Sequence, residues 1–288
     1  DRPMTLSQRL FRTCLTCIMA VAASLSLFFG GNAVYNAVQA RRAAQQQDEL
    51  NQIYQQGASS QGQAAGEMDP QLAALYAINP DLVGWLQLGG EGGFSAPVVQ
   101  RDNSYYLKHD FYGEEDSHGA VFLDYRNQID PNSENLIIYG HNMNDGTWFN
   151  YLVNYQDPEF VAQNPLITFN TLRGKGESAV VSVFVAATLP QHGDDFDYHN
   201  KTSFQSLADK QEYLDRIARR SLLNTGVEAD LQDELITLST CLYDFSGERL
   251  VVVARKLREG ETAASFQNLT VTQAENPEMP PVWYQLYG

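Results

Sequence analysis

Three side chains of this chain combine into one coherent chemistry. Cys241 closes the run Thr237-Leu238-Ser239-Thr240-Cys241, and Arg249 follows eight residues later. His141 stands one hundred residues upstream of the cysteine, in Ile138-Tyr139-Gly140-His141-Asn142-Met143. Each lies at the edge of an apolar run of strand length. A thiol can attack an amide carbonyl, an imidazole can protonate the leaving amine, and a guanidinium can hold the developing oxyanion. Arginine suits that last task because it stays charged and presents fixed N–H directions. Ser239 and Thr240 make the thiol's surroundings polar, and a nearby cation favours thiolate over thiol.

Competing groups are weaker. His109 and His118 fall in polar loops, and His192 and His199 flank the acidic stretch Asp194-Asp195-Phe196-Asp197, so all four read as solvated loop residues. No pair of histidines has metal-ligand spacing, and the acidic stretch has no glycine where a calcium loop turns, so neither metal nor other cofactor is expected. Cys14 and Cys17 sit inside an apolar run and read as small membrane-helix residues. That leaves Cys241 without a disulfide partner.

The elements that must position these groups begin after an unusual N-terminus. Between Arg12 and Arg41 lie 28 uncharged residues, enough for a spanning helix over 13–34. The arginines before it favour a cytoplasmic segment 1–12 and an extracellular remainder, hence a single-pass membrane protein. A cleaved signal ending near Ala40 is the competing reading. Residues 35–68, rich in Gln, Ala, Gly and Ser, read as a polar stalk fading into a linker. The chain of 288 residues carries 35 acidic against 19 basic side chains, a net charge of −16 that argues against a nucleic-acid partner.

From Asp69-Pro70, which opens a short helix, the pattern is mostly β with helices in the connections. Apolar runs at 83–88, 96–100, 119–124, 135–139, 166–170, 179–188, 235–239 and 249–256 read as eight strands suited to a closed barrel. Helices are expected over 144–155, with Trp148, Phe149 and Leu152 on one face, and over 203–223. After Leu257 the chain turns polar and ends in Trp283-Tyr284-Gln285-Leu286-Tyr287, so 259–288 reads as a tail that folds back and docks its aromatics.

The segments 135–143, 235–241 and 249–256, supported by Asn103-Ser104-Tyr105-Tyr106-Leu107 and by 119–124, closely resemble class B sortases, the cysteine transpeptidases of Gram-positive cell surfaces. The resemblance covers about residues 69–258. It implies an eight-stranded sortase barrel with N-terminal helices and a helix-bearing insertion between strands 6 and 7, for which residues 190–225 are the candidate. It implies that Cys241 is the nucleophile, His141 the acid and base, and Arg249 the oxyanion donor, with Ser239, Thr240, Asn103 and Leu107 in the substrate groove. The implied partners are surface proteins bearing a C-terminal Pro-x-Thr sorting signal and an amine acceptor in the cell wall or on another surface protein.

Leu242 follows the cysteine where some class B members carry an acid, which leaves both Asn-Pro-x-Thr-Asn and Ser/Pro-Pro-x-Thr-Gly signals open. Two other functions compete. An L,D-transpeptidase or another Cys-His wall amidase would use the same side chains, but the Ser-x-Gly-Cys-x-Arg frame is missing and the papain-like order is reversed. A non-catalytic anchored binding module would not need the Cys, His and Arg set intact.

Overall fold

The computed structural model describes residues 6–58, 68–90, 92–143 and 146–288. They divide into two compact units with the boundary after Gln46. The first unit is built from α1 (Leu6–Ala58). From Leu15 onward α1 is long and apolar enough to cross a membrane by length and composition. Along that apolar stretch Ile18, Val21, Phe28 and Phe29 are exposed. The hydroxyls of Ser24 and Ser26 donate to the carbonyls of Ala20 and Ala22, so they are satisfied within the helix.

The second unit is a closed eight-stranded barrel. In chain order its strands are β1 (Leu82–Leu88), β2 (Phe94–Val99), β3 (Val121–Leu123), β4 (Asn135–Tyr139), β5 (Leu166–Thr171), β6 (Glu177–Ala187), β8 (Leu235–Cys241) and β9 (Glu248–Lys256). The short β7 (Leu223–Asn224) and β10 (Thr272–Gln273) form a separate ribbon. Around the barrel the order is β1-β2-β3-β4-β8-β9-β6-β5, and β5 pairs with β1 to close it. The β2–β3 and β4–β8 pairs are parallel; the other pairs are antiparallel.

Alternation assigns the two faces of the strands. Leu136 and Ile138 of β4, Ile236 and Leu238 of β8, and Leu250 and Val252 of β9 fill the barrel interior. Leu235, Val251 and Val253 face outward, under Tyr213, Leu214 and Ile217 of α4 (Leu207–Arg220). That helix lies within the insertion expected between the sixth and seventh barrel strands, here β6 and β8.

The helix read over 203–223 is shorter at both ends. Ser206 caps it, its hydroxyl accepting from Asp209 N, while Ser221 is already extended. Phe204 lies before the cap and packs its ring on Tyr213 instead. The helix read over 144–155 is a 3-10 helix at Phe149–Gln156, preceded by Trp148 at φ 52; residues 144 and 145 lie outside the described residues. Its buried residues are Phe149, Leu152 and Tyr155, a spacing of three that matches the 3-10 repeat.

The segment read as a polar stalk is helical to Ala58, and 59–67 lie outside the described residues. Its last turns belong to the barrel unit. Leu50 and Tyr54 are buried with Leu72, Leu75 and Trp85, and α2 (Pro70–Ile78) lies in the same cluster. The Tyr54 ring stacks on Trp85 at 4.2 Å and 5°. Its hydroxyl accepts from Asn170 Nδ2 at 2.9 Å, and burial pushes that hydroxyl's pKa up.

Two further helices complete the unit. α3 (Pro158–Gln163) is capped by Asp157, and α5 (Pro281–Tyr287) ends the chain. Just before α5 and within it, Met279 and Val282 pack on Val185, Ala187 and Phe245. Glu278 pairs with Arg219 at 3.3 Å and Arg220 at 3.5 Å.

Candidate active site

Strand register brings the three reactive side chains together. Cys241 and Arg249 are direct partners across the antiparallel β8–β9 pair, where side chains opposite one another lie on one face. Tyr139 pairs with Ser239 in the parallel β4–β8 ladder. Two residues on, His141 follows Tyr139 as Cys241 follows Ser239, so both continue along the outward face. The regular ladder ends there, with Gly140 N donating to Ser239 O at 3.3 Å.

Side chains take over beyond that point. Thr240 Oγ1 donates to Gly140 O at 2.8 Å. Asn142 Nδ2 donates to Cys241 O at 2.8 Å, while its Oδ1 accepts from Asn150 Nδ2 at 2.8 Å. Phe149 N donates to His141 O at 2.9 Å, and the Tyr243 hydroxyl donates to Asn142 O. Gly140 is required by packing, because a Cβ there would stand 2.7 Å from the Phe149 ring.

The imidazole is held from a third side. His141 Nε2 lies 2.9 Å from Leu107 O. A carbonyl only accepts, so Nε2 carries the proton and donates, leaving Nδ1 without one in the neutral ring. Leu107 ends the 3-10 turn Tyr105–Leu107. Gly119, at φ +61, passes so close that a Cβ would meet Tyr106 O at 2.3 Å and His141 Cδ2 at 3.3 Å.

Cys241, Arg249 and His141 line a cleft of about 400 Å³. All seven side chains singled out in the sequence are at its wall: Cys241, His141, Arg249, Ser239, Thr240, Asn103 and Leu107. Four of those seven do other work there. Ser239 is buried and its hydroxyl is 2.8 Å from the Tyr198 hydroxyl. Thr240 is buried on Gly140. Asn103 gives Nδ2 to Asp124 Oδ2 at 2.9 Å and accepts from Tyr125 N at 2.9 Å. Leu107 supplies the carbonyl that holds the imidazole.

The arginines differ in a telling way. Arg220, Arg255 and Arg258 are each ion-paired with carboxylates. Arg249 donates Nη1 to Glu248 O at 2.8 Å and lines the cleft. Beside it, Glu248 is buried and accepts from Asp244 N at 3.0 Å, and burial pushes its carboxyl pKa up. Burial also pushes the Tyr198 hydroxyl up to about 12, opposed by its bond to Ser239 and by the Arg249 charge.

The other cleft residues, including Thr188, Tyr198 and His199, were missed in the sequence. Thr188 directly follows the sixth barrel strand, β6, and Tyr198 and His199 come from the insertion, whose path over the barrel has no local signal. The remaining histidines are placed elsewhere: His118 bonds Asp116 at 2.8 Å, His109 stacks on Tyr105, and His192 packs on Phe245. Among the described residues no group of three His, Cys, Asp or Glu side chains could hold a metal ion. A larger cleft of about 1000 Å³, lined by residues such as Asn51, Gln87, Phe94 and Asn268, contains no Cys, His, Lys or Arg among the described residues.

Comparison with known proteins agrees with this geometry. The sortase domain family matches residues 91–257. Sortase B of Staphylococcus aureus is 30% identical over 247 residues, covering 85% of this chain and 97% of that protein. Sortase B of Listeria monocytogenes is 32% identical over 208 residues, covering 71% and 81%. Among solved structures, a Staphylococcus aureus sortase B–substrate complex superposes with a TM-score of 0.67 at 31% identity, covering 77% of this chain and all of that one. Sortase B from Bacillus anthracis in complex with AAEK1 gives 0.67 at 30% identity, covering 77% and 99%. The chain therefore belongs to the sortase family as a class B member, a sortase-type transpeptidase.

Proposed function

We propose that this transpeptidase cleaves a Pro-x-Thr sorting signal after the threonine and transfers the acyl product to an amine of the cell wall or of another surface protein. The observation that carries the reading is the shared outward row of Cys241, Arg249 and His141 at one cleft. In this reading the Cys241 thiolate adds to the threonine carbonyl. The oxyanion takes hydrogen bonds from Arg249, whose guanidinium has, among the described residues, none of the ion pairs that occupy Arg220, Arg255 and Arg258.

The proton that the Cys241 thiol loses on becoming thiolate passes to His141; the C–N bond then breaks, and His141 gives that proton to the departing amine. Because Nε2 is spent on Leu107 O, Nδ1 is the nitrogen assigned to proton exchange. The incoming amine loses a proton to the same nitrogen, attacks the thioacyl carbon and releases the thiolate. The spanning stretch of α1 supports an anchored enzyme, with residues 1–12 cytoplasmic and the barrel outside the cell.

The test is cleavage of quenched peptides carrying Asn-Pro-x-Thr-Asn or Ser-Pro-x-Thr-Gly by the full-length chain in detergent, beside Cys241→Ala. Cleavage after threonine that disappears in the variant supports the reading and selects the signal. Cleavage that survives Cys241→Ala, or none at all by the wild-type chain, overturns it.

A further inference from the structure

We propose that His199 is a second substrate-contacting imidazole of the cleft, accepting a hydrogen bond at Nε2 from a main-chain N–H of the bound signal peptide. The inference rests on the sorting-signal reading above and adds a substrate-binding residue to it. His199 lies in the 3-10 turn Tyr198–Asn200 and lines the same cleft as Cys241 and His141. Its Nδ1 is 3.0 Å from Asp197 Oδ1. A carboxylate only accepts, so in the neutral ring the proton sits on Nδ1 and Nε2 presents a lone pair.

The turn is pinned to the barrel rather than left in solvent. Tyr198 is buried and bonded to Ser239. Arg126 grips Asp124 with Nε at 2.8 Å and Nη2 at 2.7 Å, and donates Nη2 to His199 O at 2.6 Å. Asn103 braces the same Asp124. Two residues expected to touch substrate, Ser239 and Asn103, thus buttress the turn that carries His199. A contact group fixed in advance loses little entropy on binding.

Apart from His141 Nδ1, which the reaction uses for proton exchange, the cleft's side chains offer few open acceptors. Arg249 only donates, and His141 Nε2 is bonded to Leu107 O. Asn103 Oδ1 holds Tyr125 N, and the hydroxyls of Ser239 and Thr240 are engaged with Tyr198 and Gly140. His199 Nε2 forms no hydrogen bond among the described residues. An extended peptide in the cleft has main-chain N–H groups to satisfy, and the lone pair of a lining imidazole can take one.

The test compares full-length wild-type, His199→Phe and His199→Gln chains in detergent on the quenched peptide that the wild type cleaves. His199→Phe keeps the ring and removes the acceptor. It should raise KM about five- to tenfold with kcat within about twofold. Glutamine, whose Oε1 also accepts, should restore KM to within about twofold. On a Cys241→Ala background, the fluorescent peptide should lose the same factor in affinity with His199→Phe. An unchanged KM in His199→Phe, or a fall in kcat at constant KM, overturns the assignment while leaving the sorting reaction standing. A wild-type chain that cleaves no peptide overturns the reaction, and this inference with it.

Discussion

Asn142→Ala should separate alignment of the reacting groups from binding of the substrate. The side chain is buried and spans the place where the β4–β8 ladder has ended. It gives Nδ2 to Cys241 O at 2.8 Å and accepts from Asn150 at 2.8 Å. Losing two such bonds, each worth about 0.5–1.5 kcal/mol net, costs roughly 2–3 kcal/mol once the partners left behind are counted. For a domain of this size that is a fall in Tm of roughly 4–12 °C. The larger effect should be on rate. Asn142 is the residue next to His141, and its bond holds that strand end to the cysteine's, so an added freedom of about 1 Å can cost up to about a hundredfold. We expect kcat to fall at least about tenfold with KM within about twofold, measured on a cleaved signal peptide. Asn142→Asp keeps an acceptor for Asn150 and loses the donor to Cys241, so it should match alanine in kcat. A kcat within about twofold of wild type, in a variant destabilised as expected, would refute the positioning argument.

Arg249→Lys keeps the charge but not the fork, and peptide cleavage should fall by about a hundredfold; near-normal turnover would remove Arg249 from the oxyanion. Tyr54→Ala removes the ring stacked on Trp85 and strands the Asn170 amide, so thermal unfolding should show a loss of about 3–5 kcal/mol, and full stability would mean that α1 contributes nothing to the barrel. Arg255 bonds both Glu261 oxygens, at 2.6 and 2.8 Å, and holds that carboxyl at about 2 against an ordinary 4.5. A depressed carboxyl stabilises fully above its ordinary value, and the contribution disappears as pH falls through about 2. Glu261→Gln should therefore flatten the loss of Tm between about pH 5 and pH 2, and an unchanged slope would show the pair to be energetically silent.

What was legible in the sequence follows from which interactions are local. Strand alternation is local, so eight apolar runs could be read as a barrel, and the two-residue period puts Ser239 with Cys241 and Tyr139 with His141 on common faces. A helix near 149–156 is legible but its 3-10 form is not, because Phe149 and Leu152, three residues apart, suit either period. Leu50 and Tyr54 looked like stalk residues because their burial depends on Trp85, about thirty residues away in the chain. Ser239 and Asn103 line the cleft, yet their polar atoms are taken by Tyr198, Asp124 and Tyr125. His199 gave no signal, since its acidic neighbours resemble those of a solvated loop. Long-range bonds, those of Tyr198 and Arg126 among them, bring it to the cleft.

Trapping the acyl-enzyme tests the central claim most directly. The full-length chain is mixed with the cleavable signal peptide, quenched in acid within a turnover, digested and weighed by mass spectrometry. The account predicts a thioester between Cys241 Sγ and the threonine carbonyl that is discharged by hydroxylamine and missing in Cys241→Ala. Peptide turnover with no adduct on Cys241, or an adduct on another residue, would contradict it.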